Sequence, residues 1–371
     1  MKKIIILLGL MEALSFSSLA SEQVKIGAVF SKTGIAAIHN APLIEMVKLA
    51  AEEINNEGGL LGNPVRLIML DNKSTPIGSK LAAEEAIRLG VAAVIGAHWS
   101  SHSLAVAPTL QKAGVPMISP GSTNPKVTQI GNYIFRVCFI DSFQGQAMAR
   151  FAYANLGARK AVVLKNIDEE YSIKLAEYFM DAFKRIGGKV LLDESYRGKA
   201  VDFSDVLKKT VKLAPDVIYV PGYTRDSGLL IKQAVSMGVK ATFLGGDAWD
   251  EIYKYSGEAI DGSYQTAPWH PDVPFPTSIH LKNIYRKKYD KQIENMSAPL
   301  AYDAFIVLAN AIKRAGTLNG NRLREAIAET RGFQAATGII SFDENGDPLD
   351  KEVIMIKLDR GRQMYFQAIK P

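Results

Sequence analysis

The chain has 371 residues, 47% hydrophobic and 22% charged, with 44 basic against 38 acidic side chains and a formal net charge of +6. The charges are interspersed, with no basic block and no aromatic–basic interleaving, which argues against a nucleic-acid binder and for a soluble surface with mild attraction for anions. A single cysteine, Cys138, excludes an intramolecular disulfide, so stability has to come from core burial.

Residues 1–20 read as an export signal: Lys2 and Lys3 form a basic start, Ile4 to Met11 an apolar run, and Ser18-Leu19-Ala20 a small-residue cleavage site. Glu12 is an unusual intrusion in that pattern. No cysteine follows the apolar run, so no lipid attachment is expected. The mature chain is predicted to start near Ser21 and to be periplasmic, with 42 basic against 37 acidic residues. After the signal no apolar run approaches the roughly 20 residues of a membrane helix. About 350 residues remain, more than one domain commonly holds.

Strands and helices alternate along this length. Val24–Phe30 reads as a strand, and Leu43–Asn55 as a helix with Leu43, Met46, Val47, Ala50, Ala51 and Ile54 at helical spacing. Strand Val65–Leu70, helix Pro76–Leu89, strand Ala92–Ile95, helix Ser101–Gln111 and strand Val115–Ile118 follow. The pattern restarts with Tyr133–Val137 extended, Ser142–Leu156 helical and Ala161–Leu164 a strand. It continues through helix Ile173–Ile186, strand Lys189–Tyr196, helix Phe203–Lys212, strand Val217–Val220, helix Ser227–Met237 and strand Thr242–Leu244. A third section holds helices Ile279–Tyr289, Ala301–Ala315 and Asn321–Glu329, then strands Ile339–Phe342, Val353–Leu358 and Met364–Ile369.

The fold class expected is α/β, with two Rossmann-like doubly wound lobes joined by a three-crossing hinge. Lobe 1 is predicted over 21–139 and 269–345, lobe 2 over 140–268 and 346–371. The crossings fall near 138–142, 266–270 and 343–350, where Pro268, Pro271 and Gly346 break regular structure. Such a hinge makes a cleft that can close on a ligand.

The stretch 94–128 is the most informative. Two apolar runs end in small hydroxyl residues: Ser100, Ser101 and Ser103 after the first, Ser119, Ser122 and Thr123 after the second. Both loops fall at the carboxyl ends of neighbouring parallel strands, where open α/β sheets bind ligands. Hydroxyls beside a helix N-terminus suit a small anion such as a carboxylate. Ser100 or Ser101 would otherwise serve as a helix cap, and Thr123 as a turn residue.

Catalytic motifs are missing. There is no G-x-G-x-x-G after the first strand, no phosphate-binding P-loop and no G-x-S-x-G elbow. His98 and His102 have metal-like spacing, but the helix is only beginning there. No enzyme, no cofactor and no metal site is expected.

Taken in order, IGAVFSKTG, AAEEINNEGGLLGNPVRL, VIGAHWSSHSLAVAP, MISPGSTNPKVT, YIFRVCFIDSFQGQAMA and LGGDAWD make the mature chain similar to the periplasmic leucine/isoleucine/valine-binding protein family. These are the type I periplasmic solute-binding components of amino-acid ABC importers. The resemblance implies that Ser100 and Thr123 hold an amino acid's α-carboxylate, helped by backbone groups near Ser101, Gly121 and Ser122. Asp247 would take the α-ammonium, and Tyr171 and Tyr223 would complete the clamp from the second lobe. Tyr302 is a further candidate, with the first-lobe core as its alternative.

The chain departs from the family around GIAAIHN, where Ile38 or His39 stands in place of a frequent aromatic residue, and at Trp99, which precedes the carboxylate serine. Trp99 would shorten the side-chain pocket or form its floor. Trp249 would shield the cleft or simply pack, and Asp250 would cap a helix. The resemblance further implies a monomer that captures a small-molecule ligand, an amino acid with a branched-chain or other apolar side chain. It would deliver that ligand to an inner-membrane ABC permease. A ligand-sensing receptor domain for an amino acid, amide or short organic acid is the rival.

Overall fold

The computed structural model of the chain describes residues 23–349 and 351–371; the segment read as an export signal lies outside them. The first sheet contains β1 (Val24–Phe30), β2 (Val65–Asp71), β3 (Ala93–Gly96), β4 (Met117–Ser119) and β5 (Ile134–Arg136). Their order is β2-β1-β3-β4-β5 and every pairing is parallel. Right-handed crossovers need helices between such strands, and these are α1 (Ala37–Asn56), α2 (Pro76–Arg88) and α3 (Ser100–Ala113). Local chemistry sets their starts. Thr75 caps α2, its Oγ1 accepting from the Gly78 N–H at 2.9 Å, with Pro76 on the first helical position.

After β5 the chain passes through α4 (Asp141–Ala154) into the second sheet. That sheet is built from β6 (Lys160–Asn166), β7 (Lys189–Tyr196), β8 (Val217–Tyr219), β9 (Thr242–Gly245) and β10 (Ser263–Ala267). The helices between them are α5 (Glu170–Arg185), α6 (Ser204–Leu213), α7 (Thr224–Ser236) and the short α8 (Tyr253–Ser256). The chain then returns to the first lobe as α9 (Pro276–Tyr289), α10 (Ala298–Ala315), α11 (Gly320–Ala328) and the hairpin β11 (Phe333–Ala335)–β12 (Gly338–Ile340). Finally β13 (Val353–Asp359) and β14 (Arg362–Ile369) join the second sheet antiparallel, giving the order β14-β13-β10-β9-β8-β6-β7.

The inner strands β1, β3, β4, β8 and β9 are buried on both faces, so they read as near-continuous apolar runs. The largest core joins β1, α1 and α10 through Leu43, Met46, Val47, Ala301, Phe305 and Leu308. Tyr302 belongs to this core. Its hydroxyl donates to Glu53 Oε2 at 2.7 Å, which corrects its candidacy for the ligand site.

Several elements differ from expectation; the short α8 and the strand β11 were not anticipated, and two further differences bear on the fold. Helix α1 starts six residues before Leu43 and runs through Pro42. Its first turn is tied down by the buried Asn40, which accepts from the Ser31 N–H and donates to the Ala36 carbonyl. Strand β10 was not anticipated, because Ser-Tyr-Gln-Thr-Ala shows no apolar pattern although it lies between β9 and β13.

A buried ion pair fixes the hinge. Arg136, at the end of β5, is fully buried and its Nε donates to Asp347 Oδ1 at 2.5 Å. Its remaining N–H groups donate to the carbonyls of Ser122, Asn124 and Pro125 and to Thr128 Oγ1. One guanidinium thus binds the loop after β4 to the chain segment that returns toward β13. Removing Asp347 leaves a buried charge without its counter-ion, a change that costs about 3–5 kcal/mol. Asp347→Ala is therefore expected to unfold at markedly lower urea concentration than the wild type, measured by circular dichroism. Among the described residues no helix is long and apolar enough to cross a membrane.

Candidate ligand-binding site

The carboxyl ends of both parallel sheets face one cleft. From the first lobe the β3–α3 turn contributes His98, Trp99 and Ser100, and the loop after β4 contributes Gly121. From the second lobe come Tyr171 at the start of α5, Tyr223 before α7, and Asp247 and Asp250 after β9. These residues, with His39, Ala248 and Ser297, line one inner cavity. Of the ten candidates, the structure thus gathers Trp99, Ser100, Gly121, Tyr171, Tyr223 and Asp247.

Asp247 is the most strongly organised of them. It is 9% exposed. Its Oδ1 accepts from the Tyr171 hydroxyl at 2.8 Å and from Gln144 Nε2 at 2.9 Å, and neither bond uses Oδ2. Gly246 before it permits that approach: a Cβ there would fall 2.1 Å from the Tyr171 hydroxyl oxygen. Burial raises the carboxyl's pKa, opposed by the donors Tyr171 and Gln144. Asp250 is pushed up to about 7 by burial and by the neighbouring Asp247 charge. Rather than capping a helix, its Oδ1 accepts the Met296 N–H from the first lobe at 3.2 Å.

Opposite Asp247 lies the N-terminus of α3, whose first amides have no intrahelical acceptor. Trp99 is the cap position and supplies no side-chain bond, so neither Ser100 nor Ser101 acts as the cap. Ser100 Oγ accepts from the Asn124 N–H at 3.3 Å. Gly121 is required where it stands, since a Cβ there would meet the His98 ring at 2.3 Å.

The other candidates are placed differently. Ser122 turns into the first lobe, its Oγ 2.9 Å from the His98 carbonyl and 2.7 Å from Ser103 Oγ, and does not line the cavity. Thr123 is fully buried beneath it, with its hydroxyl unpartnered and its carbonyl accepting from the Asp141 N–H. Ser101 donates to Glu169 Oε2 across the cleft at 3.2 Å, making a lobe-to-lobe contact outside the inner cavity. Trp249 packs in the second-lobe core.

Aromatic rings bridge the lobes. Trp99 stacks on Tyr223 with centroids 3.9 Å apart and planes 14° from parallel, and Tyr223 in turn stacks on Tyr171 at 5.4 Å. The indole also stacks with His102, centroids 5.4 Å apart and planes 19° from parallel. Stacked aromatic pairs contribute about 0.5–1.5 kcal/mol each beyond their buried area.

The imidazoles beside the cavity carry no charge at neutral pH: burial lowers His98 to about 3 and His102 to about 4, and lowers His39 as well. The inner cavity therefore holds the carboxyl groups of Asp247 and Asp250, hydroxyls and a helix N-terminus, with no lysine or arginine among its lining residues. It can pair an ammonium with Asp247 while neutral donors receive an anion opposite. Sequence reading missed Gln144, His98 and Ser297; only the spacing of Asp141 and Gln144 over one helical turn, both buried and polar, offered a signal.

With this geometry in view, the comparisons are direct. Residues 23–363 match the family described as periplasmic binding protein. The chain is 28% identical to the leucine-, isoleucine-, valine-, threonine- and alanine-binding protein of Pseudomonas aeruginosa, over 89% of this chain and 88% of that protein. Among solved structures, the leucine-binding protein LivK of Thermotoga maritima is 38% identical, with a TM-score of 0.90 and coverage of 94% and 99% of the two chains. The branched-chain amino acid transporter substrate-binding protein LivJ of Streptococcus pneumoniae, in complex with isoleucine, is 29% identical, with a TM-score of 0.89 and coverage of 94% and 100%. The fold is that of the type I periplasmic binding proteins, two-lobed and made for binding and not for catalysis. The chain belongs to the periplasmic binding protein family.

Buried Asp141, beside Thr123, provides a test of these electrostatics. Burial pushes it up to about 8, far above the roughly 3.9 of an exposed aspartate. The folded state then holds a proton that the unfolded chain releases, so stability is lost as pH rises through that window. Asp141→Asn removes the titration. Its melting temperature is expected to rise above the wild type's progressively from pH 4 to pH 8 and to gain no more beyond, by scanning calorimetry. A gap independent of pH would contradict the assignment.

Proposed function

We propose that this protein is an exported, monomeric receptor that captures an amino acid between its lobes and delivers it to an ABC importer in the inner membrane. The lobes divide at 139/140, 268/269 and 345/346. One observation carries the reading: Asp247 from the second lobe and the Ser100 end of α3 from the first border the same cavity. A free amino acid has an ammonium and a carboxylate on one carbon, and it fits a carboxylate facing neutral donors. Tyr171 and Gln144 hold Asp247 in place while Oδ2 takes the ammonium. Ser100, the first amides of α3 and the backbone at Gly121 receive the carboxylate. The relatives' names support this choice, since each of them binds amino acids.

Closure follows from differential affinity. Contacts from both lobes to one ligand exist only when the lobes meet, so binding shifts the population to the closed form. The cross-cleft contacts Ser101–Glu169, Lys126–Glu170 and Asp250–Met296 form at the same time, and the closed pair of lobes is the surface a permease reads.

Asp247→Ala leaves the ligand's ammonium buried and unpaired, a loss of about 2–5 kcal/mol in affinity. Titration calorimetry against a panel of amino acids is expected to show wild-type binding weakened by more than an order of magnitude in this variant. Unchanged amino-acid affinity would overturn the site.

A further inference from the structure

We infer that closure on the ligand takes up protons, because Glu169 and Asp250 are carboxyl groups of the second lobe whose hydrogen-bond donors all belong to the first. This rests on the amino-acid receptor reading above and adds a regulation of that same site.

The contrast with Asp247 is one of geometry. Asp247 is bonded by Tyr171 and Gln144, both of its own lobe, and keeps those donors whether the cleft is open or shut. Glu169, just before α5, has its Oε2 3.2 Å from the Ser101 hydroxyl, in the first turn of α3. Asp250 Oδ1 accepts from the Met296 N–H at 3.2 Å, with the Ser297 hydroxyl beside it, both just before α10. Among the described residues no donor of the second lobe bonds either carboxyl. Asp250 lines the inner cavity and Glu169 a larger space at the cleft mouth, so the two sit in different parts of the interface.

An ionised carboxylate has about four sites for donors. Given one or two and removed from water, it gains by holding a proton instead. The charges around these two do not reverse that. Asp247 and Glu251 stand near Asp250, while His39 and His98 of the first lobe line its cavity uncharged. Asp168 and Asp226 stand near Glu169, and Arg225 beside them spends its charge on Asp226 at 2.6 Å. Lys199 is exposed, and Lys126 of the first lobe pairs with Glu170. Burial thus pushes both carboxyls up to about 7 in the closed protein. Once the lobes part they face water, where such groups ionise near pH 4. Closure is therefore favoured in acid, and the gain is lost as pH rises through about 7.

Titration calorimetry in buffers of different ionisation enthalpy tests this, using leucine, isoleucine, valine, threonine and alanine as probes. The proteins compared are the wild type, Asp250→Asn and Glu169→Gln, whose amides keep the shape without the titration. His39 and Asp247 titrate alike in all three, so differences between the proteins report these two carboxyls. Each substitution is expected to remove about half a proton of uptake at pH 7 and almost none at pH 9. Each is also expected to remove about tenfold of the tightening that the wild type shows from pH 8 to pH 6. At pH 8 the amide variants should bind more tightly than the wild type, the opposite of losing a merely structural bond. Proton uptake unchanged in both variants, or weaker binding by both at pH 8, overturns the inference and leaves the receptor reading standing. No binding of any probe by any of the three proteins overturns both.

Discussion

A carboxylate taken out of water must find partners or give up its charge. Asp247 has two donors, Tyr171 and Gln144, and both spend their hydrogen bonds on the same oxygen. The group is thereby oriented without being fully satisfied, and a cation in the cavity completes it. Much of the second lobe's cleft wall answers to this arrangement: Gly246 before Asp247 makes room for Tyr171, whose ring stacks on Tyr223, whose ring meets Trp99 of the other lobe. Charge placement and lobe contact are parts of one structure.

The first lobe solves the opposite problem, receiving a negative group with no cation at hand. Its donors are the amides of a helix start and a serine hydroxyl, and they depend on the loop after β4 being held still. Arg136 does this from behind, bonding carbonyls of that loop and the carboxylate of Asp347. A positive charge is therefore present close to the hinge but is consumed by structure, and the cavity stays free of it. Electrostatics then favour a zwitterion over a simple anion, which would find the carboxyl groups of Asp247 and Asp250 and no basic side chain among the lining residues.

How much of this was legible in the sequence depended on the kind of signal. Alternating apolar strands and amphipathic helices were readable, because parallel sheets covered on both faces leave that periodicity behind. Strand β10 left none, since Ser263, Gln265 and Thr266 are buried by their position between β9 and β13 and not by any apolar pattern. Motif resemblance led to Ser100, Asp247, Tyr171 and Tyr223, all of which line the cavity. Neighbouring residues were harder: Ser122 follows Gly121 directly, yet its hydroxyl turns inward to the His98 carbonyl. Tyr302 had the right chemistry on the wrong helix face, pointing at Glu53 of α1. Trp99 stood out as unusual, but its partner across the cleft lies more than a hundred residues away, and only the tertiary structure brings the two rings together.

The central claim is that one small zwitterion is held simultaneously by both lobes. A crystal structure of the protein with its tightest-binding amino acid tests this most directly. The account predicts the α-ammonium within hydrogen-bond distance of Asp247 and the carboxylate at Ser100 and the first turn of α3. A ligand touching one lobe alone would contradict it.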